Sequence, residues 1–404
     1  MLRTGMELRK IQFLSMHFKV LTPHNKIKVA VGLSGGVDSS VAAALLKNQG
    51  YDLIGVTMEI FDDPGRLNEI GRHGCYGPGE TEDVEAAAQL CKKLDIPYYT
   101  LDLKEAYRKY VIGYFKHEYL LGRTPNPCVI CNQIIKFGFL LEKAMEKGLD
   151  FQFFATGHYA KLEKTDGKVL LKKAEDRSKD QSYFLYRLTG NQLSRALFPL
   201  GDYTKAQVRK MARSMEFETA DRAESQDFIA GNDYAVLFRE EETEDGDVVD
   251  EDGNLLGRHR GIIHYTIGQR RGLGIASDRP LYVTKIDAEN NRIVVGNRES
   301  LSCKGLIAND LNLVAIDRLD RQHRIEAKIR LNQKEIPATL FPHGKDRAKI
   351  LFDTPQMSVA PGQSAVFYRG DTVLGGGYIE RAIRSERFIL VARMCEKCDP
   401  TQEI

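Results

Sequence analysis

Short apolar runs at Ile27–Leu33, Asp52–Met58, Pro97–Leu103 and Phe151–Gly157 alternate with stretches of helical periodicity at Ser40–Asn48, Thr81–Leu94, Lys104–Tyr119 and Ile134–Lys147. Near-continuous hydrophobic strands separated by amphipathic helices predict a parallel sheet covered on both faces. In such sheets ligands collect beyond the carboxyl ends of the strands. The segment after the first strand, the region after Met58 and the Thr156-Gly157-His158-Tyr159 turn therefore converge on one crevice. Lys179–Phe198 and Thr204–Met215 read as further amphipathic helices. After Glu224 the texture shifts to β-branched runs, glycines and turn pairs, so a boundary falls near residue 220.

Asp252-Gly253 is a hairpin signal, and the acidic run Glu240–Asp252 reads as a solvated loop. From Ser300 onward, short strands such as Arg324–Leu331, Ala348–Phe352 and Ser364–Tyr368 suggest a small barrel or sandwich. The expected division is an extension at 1–25, an α/β domain at 26–220, a central domain at 221–298, a β-barrel at 299–383 and a tail at 384–404. There are no internal repeats.

At 404 residues and 42% hydrophobic content the chain can bury two or three cores. Lys+Arg 58 against Asp+Glu 56 leaves a formal +2, so any nucleic-acid binding must come from local basic patches. No apolar stretch reaches the roughly 18 to 20 residues that cross a bilayer, which excludes a spanning helix. Seven cysteines, with two C-x-x-C pairs and no secretory signal, point to metal or redox work in a reducing compartment, the cytoplasm by default. The basic first 25 residues contain Met6 and Met16, as an over-extended start would, and carry no functional weight.

The run Val29–Ser40 joins an apolar strand to a helix through Gly32-Leu33-Ser34-Gly35-Gly36-Val37-Asp38-Ser39. Gly35 and Gly36 can adopt backbone angles closed to other residues, so successive N–H groups can turn inward on an anion, and the serines add hydroxyl donors. A helix beginning near Ser39 aims its positive end at the same place. The loop fits neither G-x-x-x-x-G-K-[ST] nor G-x-G-x-x-G. A second segment, Thr124-Pro125-Asn126-Pro127-Cys128-Val129-Ile130-Cys131-Asn132, reads as a proline-stiffened loop between helices, holding two thiols near Lys136.

Cys75 lies in the loop after the second strand, on the same rim, so three thiols can meet. Three Cys suit a [4Fe–4S] cluster with one open iron, whereas structural zinc wants a fourth ligand; redox work by the Cys128/Cys131 pair is the alternative. Cys91 reads as a core residue, Cys303 is uninformative, and Cys395/Cys398 could relay a persulfide or bind zinc.

The loop resembles the PP-loop of ATP pyrophosphatases. SGGVDSS at 34–40, TPNPxxxCN at 124–132, IKFG at 135–138, ATGHYA at 155–160, KDQSYFLYRL at 179–188, YTIGQRRGLGI at 265–275, and PGQSAVFY with LGGGYIE at 361–380 together resemble the tRNA-specific 2-thiouridylases of the MnmA/TrmU type. The resemblance implies a PP-loop domain, a small central domain and a C-terminal β-barrel. It implies an activity in which ATP adenylates the C2 oxygen of the wobble uridine in the tRNA anticodon loop and sulfur replaces it. ATP contacts are implied at Gly32, Leu33, Ser34, Gly35, Gly36, Val37, Asp38 and Ser39, at Met58 and at Gly157, with Asp38 organising Mg²⁺ and pyrophosphate. Contacts to tRNA are implied at His158, Lys179, Asp180, Gln181, Ser182 and Gln363. Arg270 and Arg271, with Lys179 and Lys205, suit phosphate oxygens.

The departures from the family pattern are equally specific. Cys128 stands where the family has Asp, and Cys131 falls on the family's nucleophile. The second family cysteine, expected in S-Q-x-x-C-F, is missing from Ser225-Gln226-Asp227-Phe228-Ile229. The usual relay therefore cannot run unchanged, and Cys75, Cys128 and Cys131 are similar to the three-cysteine arrangement of cluster-dependent tRNA thiolases. The sulfur donor is left open among a cysteine desulfurase, a sulfur carrier and free sulfide. The rival readings are another PP-loop ligase or amidating enzyme and a tRNA-binding relative that has lost catalysis.

Overall fold

The computed structural model describes residues 27–62, 74–222, 228–229, 234–238 and 243–384. The 1–25 extension, the Ser225–Asp227 stretch and the Cys395/Cys398 pair lie outside the described residues. The first strands are β1 (Lys28–Gly32), β2 (Asp52–Glu59), β3 (Tyr98–Asp102) and β4 (Phe153–Ala155). A hairpin of β5 (Ala160–Thr165) and β6 (Lys168–Lys173) follows, then β7 (Ala196–Leu197). The sheet order is β3-β2-β1-β4-β7 with every pair parallel. Because side chains alternate along a strand, Ala30, Val56, Leu101 and Phe154 enter one core while Val29, Val31, Leu53 and Ala155 enter another.

Helix α1 (Val37–Asn48) and α2 (Glu80–Leu94) cover the second of these faces. On the first lie α3 (Lys104–Tyr107, continuing through a π-helical stretch Arg108–Ile112 into Gly113–Leu120) and α4 (Pro127–Ile130, continuing through a π-helical stretch Cys131–Phe139 into Leu140–Glu146). The proline segment expected as a loop is thus the start of α4. Pro127 sits in the first turn, where its missing N–H costs nothing and its fixed φ favours the helix. Lys179–Phe198 is also corrected. It forms two short helices, α5 (Ser182–Leu185) and α6 (Gly190–Ser194), before β7, because Tyr183 and Tyr186 are wholly buried against the barrel and that packing overrides the periodicity. Helix α7 (Lys205–Ser214) begins as expected, with Thr204 and Gln207 forming a reciprocal capping box.

The acidic run is not all loop: β8 (Gly246–Val249) lies within it, with Val248 and Val249 buried. It pairs across the Asp252-Gly253 turn with β9 (Leu255–His259). With β10 (Tyr282–Asp287) and β11 (Arg292–Gly296) these form a sheet of order β10-β11-β8-β9 around Val248, Val283, Ile293 and Val295. The remaining strands are β12 (Ser302–Leu313), β13 (His323–Lys328), β14 (Ile336–Pro342), β15 (Arg347–Met357), β16 (Ser364–Arg369) and β17 (Thr372–Arg384). They run β12-β15-β14-β13-β16-β17, and β12–β17 pairing closes a six-stranded barrel. The β5–β6 hairpin attaches to β17 through the Lys172–Thr372 pair.

The barrel and the α/β unit share a core, in which Tyr183 and Tyr186 pack with Val366, Tyr368 and Val373. Gly376 makes this approach possible, since a Cβ there would lie 2.6 Å from Tyr186 Cδ2. Among the described residues no helix is long and apolar enough to cross a membrane.

Candidate active site

The site begins where β1 ends. Leu33 N–H donates to the Val56 carbonyl at 2.9 Å and Thr57 Oγ1 donates to the Leu33 carbonyl at 2.9 Å, which fixes the loop to β2. Gly35 takes φ +66°, and a Cβ there would lie 2.6 Å from the Asp83 backbone. Arg222 Nη1 donates to the Gly35 carbonyl at 2.8 Å and to Asp83 Oδ1 at 3.0 Å, tying the loop to α2. Ser39 and Ser40 hydroxyls both donate to the Gly36 carbonyl, and Ser34 N–H donates to Ser39 Oγ. No side chain caps α1, so its first N–H groups remain as donors for an anion.

Asp38, in the first turn of α1, receives both Lys205 Nζ, at 2.7 and 2.8 Å, and the Tyr159 hydroxyl at 2.8 Å. Lys205 is buried, at 8% exposure, at the start of α7, where its own N–H donates to Asp176 Oδ2. Gly157 seats the β4 turn directly on this helix end, since a Cβ there would lie 2.7 Å from the Ser39 nitrogen. Half-buried Met58 stands one residue before the end of the neighbouring β2. Removing the Lys205 charge by Lys205→Met is expected to raise KM for ATP about tenfold, the loss of one charge-assisted contact, with a lowered Tm read alongside.

The second half of the site is built on α4. Thr124 N–H donates to the Pro361 carbonyl at 2.8 Å, Thr124 Oγ1 meets Thr266 Oγ1 at 2.6 Å, and Gln363 Nε2 reaches the Pro125 carbonyl at 3.4 Å. Gly362, at φ +88°, lets the barrel approach, because a Cβ would stand 3.0 Å from Thr124 N. The barrel and the central unit thus both hold the Thr124-Pro125 segment that leads into α4. Within the π-helical stretch the Gln133 and Phe137 carbonyls are taken by Gln192 Nε2, at 2.8 and 3.0 Å. Such irregular helix at a reactive side chain is a common functional device.

Cys131 opens that stretch and is buried. Burial pushes its thiol up to about 11; Lys136 pulls it down and Cys75 adds to the rise. His158 lies well below the ordinary imidazole range through burial and the nearby Lys136, and its Nδ1 faces Thr156 Oγ1 at 2.8 Å. Lys136 is thus an electrostatic neighbour of both His158 and Cys131, and the His158 ring lies 6.4 Å from that of Phe137 in the same helical stretch. A step that uses the Cys131 thiolate is expected to speed up about tenfold per pH unit above pH 7, and Lys136→Met to lower its rate at any pH below the thiol's own value; single-turnover sulfur transfer across pH checks both.

Cys75 is exposed and Cys128 half-buried. Tyr76 N–H donates to the Phe228 carbonyl at 3.1 Å, and the Tyr76 ring stacks on wholly buried Tyr107 at 5.4 Å with the planes 10° apart, while Phe61 meets it edge-on at 5.3 Å. The Tyr107 phenol is held well above its ordinary range by burial first, then by Cys131, Cys75 and Cys128, which all lie within its electrostatic surroundings. Among the described residues, however, no three or more His, Cys, Asp or Glu side chains are arranged to hold a metal ion. As arranged, the thiols do not fit a cluster, and no step is derived through one. Cys91 and Cys303 are core residues; burial pushes the Cys91 thiol up to about 12.

Of the other sequence-derived residues, Asp180 and Ser182 are buried and committed to each other, Ser182 Oγ donating to Asp180 Oδ2 at 2.7 Å. Asp180 also receives Ala174 N–H, and burial raises its carboxyl. Gln181 exchanges hydrogen bonds with Tyr159, and Lys179 is half-buried beside it. Arg270 and Arg271 are exposed on a loop whose Gly268, Gly272 and Gly274 take positive φ. Sequence reasoning missed the Asp38–Lys205–Tyr159 group, Arg222 and Tyr107. Tyr159 lay inside a quoted motif, whereas Arg222 carried no local signal.

A parallel sheet whose first loop offers glycine N–H groups and an uncapped helix start, sharing a core with a closed β-barrel, defines an α/β enzyme of the PP-loop nucleotide-using class. Three family models match in order: a tRNA methyl transferase HUP domain over residues 27–230, a tRNA methyl transferase PRC-barrel domain over 235–297 and an aminomethyltransferase beta-barrel domain over 303–379. The chain is 48% identical over 363 residues to the tRNA-specific 2-thiouridylase MnmA of Acetivibrio thermocellus, covering 88% of this chain and 100% of that protein. It is 48% identical to tRNA-specific 2-thiouridylase MnmA 2 of Thermoanaerobacter sp. (strain X514), covering 88% and 99%. With the Clostridioides difficile MnmA it shares 47%, over 88% and 99%. The chain belongs to the tRNA-specific 2-thiouridylase MnmA family.

Proposed function

We infer that this protein is a tRNA-uridine 2-sulfurtransferase that consumes ATP, takes sulfur from a donor and acts on the wobble uridine. The observation that carries the reading is the β4 turn, whose Gly157 is seated against Ser39 of the phosphate-loop helix while the ring of its His158 lies 6.4 Å from Phe137, in the helical stretch that Cys131 opens. A uracil C2 oxygen is a poor leaving group, so it first attacks the α-phosphorus of ATP. Pyrophosphate departs and the N3 proton is lost. Gly32–Ser39 and the start of α1 bind the phosphates and spread the charge that develops there, in a site already organised before reaction. Mg²⁺, a hard cation on oxygen ligands, would sit beside Asp38 and neutralise the leaving pyrophosphate.

A sulfur nucleophile then adds at C2 and AMP leaves. The target base must be unstacked to enter, which a single-stranded anticodon loop makes inexpensive. Arg270 and Arg271 supply exposed cations for the tRNA backbone, and Lys179 and Gln181 border the β4 turn. Asp180 and Ser182 support that border from below. Cys131, aided by Cys128 and Cys75, supplies the thiol chemistry of this step. Iron and acid-labile sulfide counted after anaerobic purification check the misfit of Cys75, Cys128 and Cys131 to a [4Fe–4S] cluster, and no stoichiometric iron is expected.

The test incubates the full chain with unmodified tRNA, ATP, Mg²⁺ and a persulfide donor and follows 2-thiouridine by nucleoside mass spectrometry. AMP and 2-thiouridine formed in equal amounts support the reading. AMP formed without dependence on tRNA overturns it.

A further inference from the structure

The family relay needs two thiols, and the segment that should carry the second has none. We propose that Cys75 is the missing sulfur-handling thiol, placed by its neighbour Tyr76 beside the segment from which the family's second cysteine is lost. This rests on the sulfurtransferase reading above. The placement has three parts. Tyr76 N–H donates to the Phe228 carbonyl at 3.1 Å, so the Cys75 backbone runs alongside the residue that follows the Ser225-Gln226-Asp227 motif. The Tyr76 ring stacks on Tyr107 at 5.4 Å, and Phe228 packs 5.1 Å from Phe115, so both segments are seated on α3. Cys75 is exposed while Cys131 is buried, which matches a thiol that an outside donor can load paired with one that only resolves the disulfide. The rise that Cys75 adds to the Cys131 thiol is consistent with this seating.

The chemistry balances as follows. A persulfide donor transfers its outer sulfur to Cys75, giving Cys75–S–SH and a free donor thiol. The terminal sulfur, once deprotonated, attacks C2 of the adenylated uridine. The C2–O bond breaks and AMP leaves with the electron pair. Cys131, after losing its proton, attacks Cys75 Sγ. The S–S bond to the base breaks, its pair stays on the base sulfur, and protonation gives 2-thiouridine. Cys75 and Cys131 are left as a disulfide, which an external dithiol reduces.

The test is a single turnover of the full chain with unmodified tRNA, ATP, Mg²⁺ and glutathione persulfide, quenched with N-ethylmaleimide and digested without reductant. The expected result is a Cys75–Cys131 linked peptide in proportion to 2-thiouridine. Cys75→Ser should lower 2-thiouridine at least about 100-fold while tRNA-dependent pyrophosphate release falls no more than about twofold, a split that also reports a folded enzyme. A Cys128–Cys131 peptide in place of the Cys75–Cys131 one, or a Cys75→Ser variant that still thiolates, overturns the proposal and leaves the sulfurtransferase reading intact. Loss of both pyrophosphate release and 2-thiouridine in the wild type overturns that reading itself.

Discussion

Cys131→Ser is expected to reduce 2-thiouridine formation by about 10³-fold or more while tRNA-dependent release of pyrophosphate continues, because a hydroxyl cannot cleave the disulfide that holds the base sulfur. The two half-reactions use different atoms. Adenylation needs the phosphate loop, Mg²⁺ and the uracil oxygen; sulfur transfer needs the thiol. Serine is close to isosteric, but its hydroxyl would be buried where Cys131 is only 8% exposed, and an unsatisfied hydroxyl costs about 1 to 3 kcal/mol. A modest fall in Tm should therefore accompany the chemical defect. Pyrophosphate release lost in step with 2-thiouridine would place Cys131 in adenylation as well. Both products measured on the same quenched samples distinguish these outcomes.

The parallel sheet and the barrel were legible because their signals are local. Apolar runs of strand length stand between helices, and the phosphate loop is a contiguous dozen residues. What stayed hidden depends on contacts distant in sequence. Lys205 read as a cation for a tRNA phosphate oxygen, and only the fold brings it to Asp38, 167 positions away. Pro127 read as a breaker, since the same proline that ends one helix also starts another, and the difference lies in which side its N–H would have faced. The helical periodicity of Lys179–Phe198 was present but was overruled by Tyr183 and Tyr186, whose burial against the barrel no periodicity records. Asp180 and Ser182 carried the family's polar signature, yet their side chains face one another under the β5–β6 hairpin, where hydrogen bonding to the Ala174 backbone defines their shape.

Gly35→Ala is expected to raise KM for ATP at least about 100-fold and to destabilise the protein, for two reasons that add. At φ +66° an alanine sits in the left-handed region, at about 1 kcal/mol or somewhat more. Its Cβ would also lie 2.6 Å from both the Cα and the carbonyl oxygen of Asp83, and backbone in the first turn of α2 cannot give way as a flexible side chain would. Relief requires either moving α2 or rotating the Gly35 peptide. Rotation breaks the 2.8 Å bond from Arg222 and turns an N–H away from the anion site.

Arg222→Ala separates these possibilities. It frees the Gly35 carbonyl without adding a Cβ, so it should raise KM for ATP by about tenfold, the scale of one charge-assisted hydrogen bond. Arg222→Lys should recover part of that loss. ATP titrations monitored by tRNA-dependent pyrophosphate release, with Tm recorded for each variant, read the comparison directly. Should Gly35→Ala bind ATP as the wild type does, the loop would not hold its phosphates through the Gly35–Gly36 backbone, and the nucleotide site would have to be sought at Lys205 and the start of α7.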